Sequence, residues 1–372
     1  MNRSERLAAG AYPFHRFSGS HLEVGRQYGE HCRDLITRHY GLAVERLAAQ
    51  TGLATDAALE RALEYRAHVQ RHARFLDDEI QGLAAGAGLS LGQAYLLQLR
   101  AELNQARGDQ VDDECTTFAA LSEATLDGEP LAGQNADLPS IYRELGVVVH
   151  VAAGDLPEVL MLTPAGQISY IGINDRGVGV FGNFLTCDGW RVGFPRYLLT
   201  RLVLAHDSIG EALATLEDVP RASSRNLLMV DASDWAADLE TTPTRASVLE
   251  PEDGLLVHSN HYVAVDLVGE ERAEPERLEN SRTRADRIRQ LLAARRGELD
   301  ARSMAEVFRD RATLPHALCV LPEDREGIDT ITFASVIAEP SKGRVWVSSG
   351  PPSESDYRGF SFADGEDREA RL

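Results

Sequence analysis

The sequence predicts an α+β fold in which helices pack on the faces of β-sheet, and three observations carry that expectation. The first third of the chain runs in helix-period segments of Ala, Leu, Glu and Arg. From Cys115 onward, short β-branched runs follow one another: Thr116-Thr117-Phe118, Val147-Val148-Val149, and Ile168 to Ile173. Further helices are gathered between the later strands, which sets helix and sheet in layers. With 372 residues, 43% hydrophobic and 6% aromatic, the chain can bury a sizeable core, either as two or three domains or as one large one.

The first helix opens on the capping box Ser20-His21-Leu22-Glu23 and is read to about Ala49. Gly25 and Gly29, four apart on it, would let another backbone come close. A second helix covers Asp56 to Phe75. Glu79 to Ser90 reads as a helix, a glycine stop and a Ser90 cap that opens a helix over Leu91 to Leu103. Gly82, Gly86 and Gly88 resemble a phosphate-binding loop only superficially, because a helix rather than a strand precedes them. They are read as packing and stop positions.

After Cys115, strands are predicted at 116–121 and 129–134, joined by a Leu126-Asp127-Gly128 hairpin. More follow at 145–152, 157–163, 167–173 and 178–184, with Gly-, Pro- and Asn-rich turns between them, and the whole run is expected to form one large antiparallel sheet. Helices at 194–205 and 209–216 lead to strands at 227–231, 236–241 and 254–257. Helices at 281–295 and 303–310 precede closing strands at 330–337 and 344–348. The polar tail from Ser353 to Leu372 is read as loosely held. One boundary is drawn, at Glu114/Cys115, giving a helical N-terminal segment 1–114 and a catalytic segment 115–372.

Composition excludes several function classes. A net charge of −20 repels phosphate backbones and anionic membranes, so no nucleic-acid or membrane partner is expected. No apolar run approaches a membrane span, and Met1 to Phe17 has no continuous hydrophobic stretch of the secretory kind. Four cysteines, at 32, 115, 187 and 319, show no paired spacing, which suggests a reducing, cytoplasmic compartment. Cys32, Cys187 and Cys319 are read as small core residues. Cys115 differs, with the acidic run Asp113-Glu114 before it and two hydroxyls after it, at the point where helices give way to strands. It is the candidate nucleophile.

Several stretches together resemble the acyl-CoA:6-aminopenicillanate (isopenicillin N) acyltransferase family, self-processing members of the cysteine N-terminal-nucleophile (Ntn) hydrolase superfamily. They are Leu22 to Gly29, Glu79 to Leu89, Cys115-Thr116-Thr117-Phe118, Gly133-Gln134-Asn135-Ala136-Asp137 and Ile171-Gly172-Ile173-Asn174. Gly193-Phe194-Pro195-Arg196, His258-Ser259-Asn260-His261, Asn280-Ser281-Arg282-Thr283-Arg284 and Ser348 to Pro352 complete the ordered set. The resemblance implies a four-layer αββα sandwich and a precursor that cuts itself between Glu114 and Cys115. Its N-terminal segment would then be a propeptide or small subunit that stays as a partner. The freed Cys115 α-amine, with a reference pKa of about 7.7–8.0 against about 8.5 for a thiol, would serve as base for its own thiol.

By the same resemblance, Asp137 is the carboxylate beside the new amine, and Asn260 and Asn183 line the oxyanion hole. Arg282 is the arginine near the thiolate, with Arg284 as the alternative two residues on. The pattern departs twice: Glu114 replaces a glycine before the nucleophile, which bears on self-cleavage, and Ala136 replaces an aromatic, which implies a differently shaped pocket. The expected activity is hydrolysis of a small linear amide through a Cys115 thioester, with no cofactor. A CoA-dependent N-acyltransferase, with acyl-CoA as substrate, is second. Two other classes are weighed: a zinc hydrolase built from His258-x-x-His261 and His316-x-x-Cys319, and an uncut, non-catalytic binding protein favoured by Glu114. The sequence sets no oligomeric state.

Overall fold

The computed structural model describes residues 11–104 and 114–372. The first ten residues of the N-terminal stretch and the acidic run up to Asp113 lie outside those residues. The described chain opens on a strand absent from the sequence reading, β1 (Phe14–Gly19), before the Ser20 capping box starts α1 (His21–His31). The single long helix expected there is two. The axis breaks at Cys32, whose backbone leaves helical geometry, and α2 (Arg33–Thr51) follows to a left-handed Gly52 cap. Likewise the second helix, read over 56–75, is α3 (Thr55–Glu64) and α4 (Arg66–His72), and the helix read from Glu79 starts earlier, as α5 (Arg74–Ala87). Gly88, at φ 74°, ends α5 as expected, and a Ser90 capping box starts α6 (Leu91–Gln98), with α7 (Arg100–Asn104) after it.

The strands after Cys115 form two sheets rather than one. β2 (Glu114–Ala120) and β3 (Leu131–Leu138) belong to the first; β4 (Gly146–Ala153), β5 (Val159–Pro164), β6 (Ile171–Asn174) and β7 (Val178–Asn183) belong to the second. Next come α8 (Leu199–Val203), α9 (Ile209–Glu217), β8 (Arg225–Asp231), β9 (Trp235–Thr241), β10 (Ala246–Leu249) and β11 (Leu255–His258). The chain ends with α10 (Pro275–Ala293), α11 (Ala301–Phe308), β12 (Ile331–Glu339), β13 (Arg344–Ser349), β14 (Tyr357–Ser361) and β15 (Gly365–Arg371). One sheet has the order β1-β4-β5-β6-β7-β8-β9-β10, the other β11-β2-β3-β12-β13-β14-β15. Among the described strands, only the β1–β4 pairing within these sheets is parallel. The tail read as loose is the strand pair β14–β15, zipped antiparallel onto β13.

Three apolar clusters separate four layers. Phe17, Val149, Val180 and Met229 pack under the N-terminal helices and α8–α9. Leu160, Phe181, Val230, Ala136 and Phe333 fill the space between the sheets. Phe118, Ile337 and Trp346 pack under α10–α11 through Ile288, Met304 and Phe308. β3 shows why its sequence does not alternate: it is buried on both faces. Gln134 donates to Gly182 O of the other sheet, while Asn135 donates to Phe308 O and Leu318 O of the helical side. The expected boundary at Glu114/Cys115 falls inside β2, and the residues before it supply a strand and a helical layer to the uncut chain. Among the described residues, no helix is long and apolar enough to cross a membrane.

Candidate active site

β2 is flanked by β3, with Glu114 opposite Asp137 and Cys115 opposite Ala136, and by β11, whose last residue His258 lies opposite Thr117. Beyond that pairing, residues 259–261 turn over the start of β2. They bring two side chains onto the Cys115 backbone. Cys115 N–H donates to Asn260 Oδ1 at 2.8 Å, and Ser259 Oγ donates to Cys115 O at 3.1 Å. Asn183, at the end of β7 in the facing sheet, donates through Nδ2 to the same carbonyl at 3.1 Å. From α10, Arg284 Nη1 reaches it at 2.7 Å and Thr116 Oγ1 at 2.8 Å. Both polar backbone atoms of Cys115 are thus fixed by side chains, and the residue is 3% exposed in the cluster between the sheets.

Asn183 and Asn260 are both present, but their amide nitrogens are committed in the uncut chain. Asn183 Nδ2 holds Cys115 O, and Asn260 Nδ2 holds Phe184 O at 3.0 Å. Arg284 Nη2 donates to Asn260 Oδ1 at 2.9 Å, which fixes the amide with its oxygen toward Cys115. Asn260 is therefore an acceptor for the Cys115 nitrogen here, rather than an oxyanion donor.

The expected arginine is displaced by two residues. Arg282 is exposed, whereas Arg284 is 1% exposed and makes the contacts above. Two helical residues rotate the side chain by roughly 200°, so only one of them can face the sheet. Ile288 and Leu292 mark the inward stripe, and counting back by fours gives Arg284 and Asn280. That periodicity was the available signal.

Asp137 is buried opposite Glu114. Its Oδ1 accepts from Thr332 Oγ1 at 2.6 Å, and its Oδ2 is buried with no hydrogen-bond partner among the described residues. Burial pushes its carboxyl up to about 7 against the pull of Arg284. Burial also acts on Glu114, but Arg284, Arg325 and Asn280 outweigh it and hold that carboxyl below the usual range. Arg325 grips Glu114 with two bonds, at 2.9 and 3.0 Å, and Asn280 Nδ2 adds a third at 2.9 Å. Glu114, expected to unsettle the cut, is thus a pinned residue whose partner Arg325 the sequence did not reveal.

A second buried set ties the 258–264 segment to the facing sheet. His258 Nε2 lies 2.6 Å from Glu240 Oε1 and its Nδ1 2.7 Å from Ser259 O. Both neighbours are acceptors, so both ring nitrogens carry protons. Glu240 also accepts from Val263 N and Ala264 N. Burial would lower the His258 pKa, but Asp238 and Glu240 overcome it and raise it to about 9. The zinc arrangement fails on this chemistry: a doubly protonated His258 has no lone pair to offer, and His261 Nδ1 is engaged by Ser281 Oγ at 2.7 Å.

A raised histidine pKa stabilises the fold fully below its ordinary value near 6.5, and that stabilisation is lost as pH rises through 9. Thermal unfolding of the Cys115→Ala chain should therefore show a stability loss on the order of 3 kcal/mol between those pH values. His258→Gln should flatten the slope; an unchanged slope would remove His258 as its source.

The other cysteines are poor nucleophiles. Burial pushes Cys32 up to about 12 and Cys319 to about 11, and raises Cys187 as well.

The described chain is thus layered helix-sheet-sheet-helix, with Cys115 at the start of a strand whose neighbours hold its backbone. A sequence model of the acyl-coenzyme A:6-aminopenicillanic acid acyl-transferase family matches residues 125–354, more than half the chain, and the chain belongs to that family. It is accordingly an enzyme of the acyltransferase class. The match begins downstream of Cys115. The acyl-coenzyme A:6-aminopenicillanic-acid-acyltransferase 40 kDa form of Emericella nidulans is 27% identical over 346 residues, covering 91% of this chain and 92% of that protein. Two solved structures are also similar to the chain. A mutant conjugated bile acid hydrolase from Clostridium perfringens has 14% identity and a TM-score of 0.45, covering 67% of this chain and 92% of that one. Penicillin V acylase from Agrobacterium tumefaciens has 12% identity and a TM-score of 0.46, covering 67% and 87%.

Proposed function

We propose that this chain is the precursor of a self-processing cysteine amidohydrolase. The observation that carries the reading is the clamp on Cys115: one acceptor on its nitrogen and three donors on its carbonyl, drawn from β7, the 259–260 turn and α10. Such a clamp keeps a residue in place after the bond before it is broken.

In the first step the Cys115 thiol adds to the Glu114 carbonyl carbon. A C–S bond forms, the Glu114–Cys115 C–N bond breaks, and the nitrogen takes a proton to become an α-amine. Water then hydrolyses the thioester, leaving a Glu114 carboxylate and a free thiol. Asn260 Oδ1, which holds this nitrogen as an amide, would hold it as an amine. The unpartnered Asp137 Oδ2 would gain a cation nearby when the amine is protonated, drawing its carboxyl back toward the ionised form. Thereafter the amine accepts the thiol proton, the thiolate attacks a substrate amide, and the proton leaves with the amine product. Water resolves the thioester. For Asn260 to serve the oxyanion, its Nδ2 would have to leave the Phe184 carbonyl. The Glu114–Arg325 pair and the shared sheet would keep the two pieces together, with no nucleic-acid or membrane partner and a cytoplasmic setting.

A CoA-dependent N-acyltransferase shares the first half-reaction. The 27% identity to the Emericella nidulans acyltransferase along 91% of the chain favours it as the second reading. The test is a panel of N-acyl amides and acyl-CoA thioesters, each with and without added amine, read for released amine, for transferred acyl group and for acyl adduct on Cys115. Hydrolysis of an amide without acceptor is expected, with none in Cys115→Ala. Product only from acyl-CoA plus amine would make the transferase reading correct.

A further inference from the structure

The end of β7 carries more than the Asn183 contact. One residue earlier, a Cβ on Gly182 would lie 2.5 Å from Arg225 Nη2 and 2.7 Å from its Nε. The absence of a side chain there is what lets the Arg225 guanidinium lie against the strand. The backbone of Gly182 is held by Gln134, whose Nε2 donates to its carbonyl at 2.9 Å and whose Oε1 accepts from its N–H at 3.0 Å. Arg225 is 2% exposed, and its Nε and Nη2 are buried with no hydrogen-bond partner among the described residues.

Its charged neighbour is a second cation. Arg196, 1% exposed, stands with its guanidinium 4.7 Å from the Tyr197 ring centre, and Arg225 stands 5.0 Å from the same ring. Arg196 also covers Phe184 at 4.2 Å. Tyr197 and Phe184 belong to the apolar cluster that contains Cys115, and Phe184 supplies the carbonyl that holds Asn260. The nearby carboxylate Glu102 is bound by the Arg196 backbone N–H and by Ser223 Oγ. Burial and the Arg196 charge both depress the Arg225 pKa, so the charge on Arg225 is held at a cost.

Two arginines buried beside one tyrosine, with unmet donors on one of them, form a receptor for an anion. A carboxylate suits it, since guanidinium groups bind carboxylates through charge-assisted hydrogen bonds. We infer that Arg225, with Arg196, binds a carboxylate on the substrate, so that the enzyme acts on amides of the N-acyl amino acid class rather than on neutral amides. The inference rests on the amidohydrolase reading for its turnover test, and on ligand binding alone for a second test.

The first test compares kcat/KM for N-octanoylglycine and N-octanoyl-methylamine in the wild type, Arg225→Met and Arg225→Lys. The wild type should prefer the acid by roughly 10- to 100-fold, Arg225→Met should lose that preference through KM, and Arg225→Lys should keep part of it. A preference that survives in Arg225→Met, or no preference in the wild type, overturns the subsite. If neither amide is turned over, the amidohydrolase reading has failed and binding decides. Saturable N-octanoylglycine binding, read by fluorescence of Trp190 beside Arg196 or by calorimetry, should occur in the wild type and vanish in Arg225→Met. No saturable binding of the anion contradicts the proposal. Thermal unfolding separates a structural arginine: ligand-free Arg225→Met should melt no lower than the wild type, because it loses an unpaired buried charge. A lower melting point together with an unchanged acid preference would assign Arg225 to structure instead.

Discussion

Replacing Arg284 with alanine is expected to slow the cut before Cys115 by at least about 100-fold and to destabilise the uncut chain by roughly 3–5 kcal/mol. The guanidinium is buried and serves four oxygens: Cys115 O, Thr116 Oγ1, Asn260 Oδ1 and, through Nε at 2.7 Å, Asn280 Oδ1. Its loss would free the amide of Asn260 to turn and leave the Cys115 carbonyl with two donors of three. It would also remove the positive charge that lowers both Asp137 and Glu114, so a proton would be taken up where the carboxylates crowd. Lysine cannot replace it, since one ammonium cannot reach acceptors spread around a planar fork. Arg282→Ala is the internal control. That side chain is exposed, and its removal should change stability by no more than about 0.5 kcal/mol and leave cleavage intact. The time course of fragment appearance and denaturant unfolding measure both; equal effects from the two substitutions would refute the assignment of Arg284.

Gly25→Ala should be among the most damaging single-methyl additions in the molecule. A Cβ at Gly25 would sit 2.0 Å from Glu79 O, and one at Gly82 would sit 2.1 Å from Leu22 O. Gly86 meets Arg26 O at 2.2 Å and Gly29 meets Leu83 O at 2.5 Å, so α1 and α5 touch backbone to backbone along their length. No rotamer relieves a clash with a carbonyl; the helices must part. Parting them would strain Glu79, which is buried between α1 and α8 and bound by His21 Nδ1 at 2.8 Å and by two Arg201 bonds at 2.8 Å. A loss above about 4 kcal/mol is expected from denaturant unfolding. By contrast Gly41→Ala, where a Cβ meets nothing within 4 Å, should be neutral or slightly stabilising through helix propensity. Similar stability for the two variants would mean that α1 and α5 have room to spare.

Most strands were legible in the sequence because turn residues bracket them, as Asp127-Gly128 does with Gly128 at φ 76°. Their assignment to sheets was not. β3 and β12 are buried along their whole length, so neither alternates, and nothing local separates a hairpin within one sheet from a crossing to the next. Helix ends were readable where a side chain caps them, at Ser20 and Ser90, and unreadable at Cys32, where the break has no Gly or Pro. Of the site, Cys115, Asn183, Asn260 and Asp137 were nameable, and the structure brings the first three into direct contact. Arg284 needed helical phase. Arg325 and Glu240 were out of reach because each pairs across an intervening stretch of chain, and nothing local in the sequence marks either as the partner of Glu114 or His258.

The proposed chemistry requires Cys115 to become an N-terminal residue. The most direct measurement is an intact mass spectrum of freshly purified wild-type protein beside Cys115→Ala. Two pieces in the wild type, ending at Glu114 and beginning at Cys115, and one full-length chain in the variant, are the predicted result. A single uncut chain in both, under conditions where the wild type turns over an amide, would contradict it and require another base than the Cys115 amine.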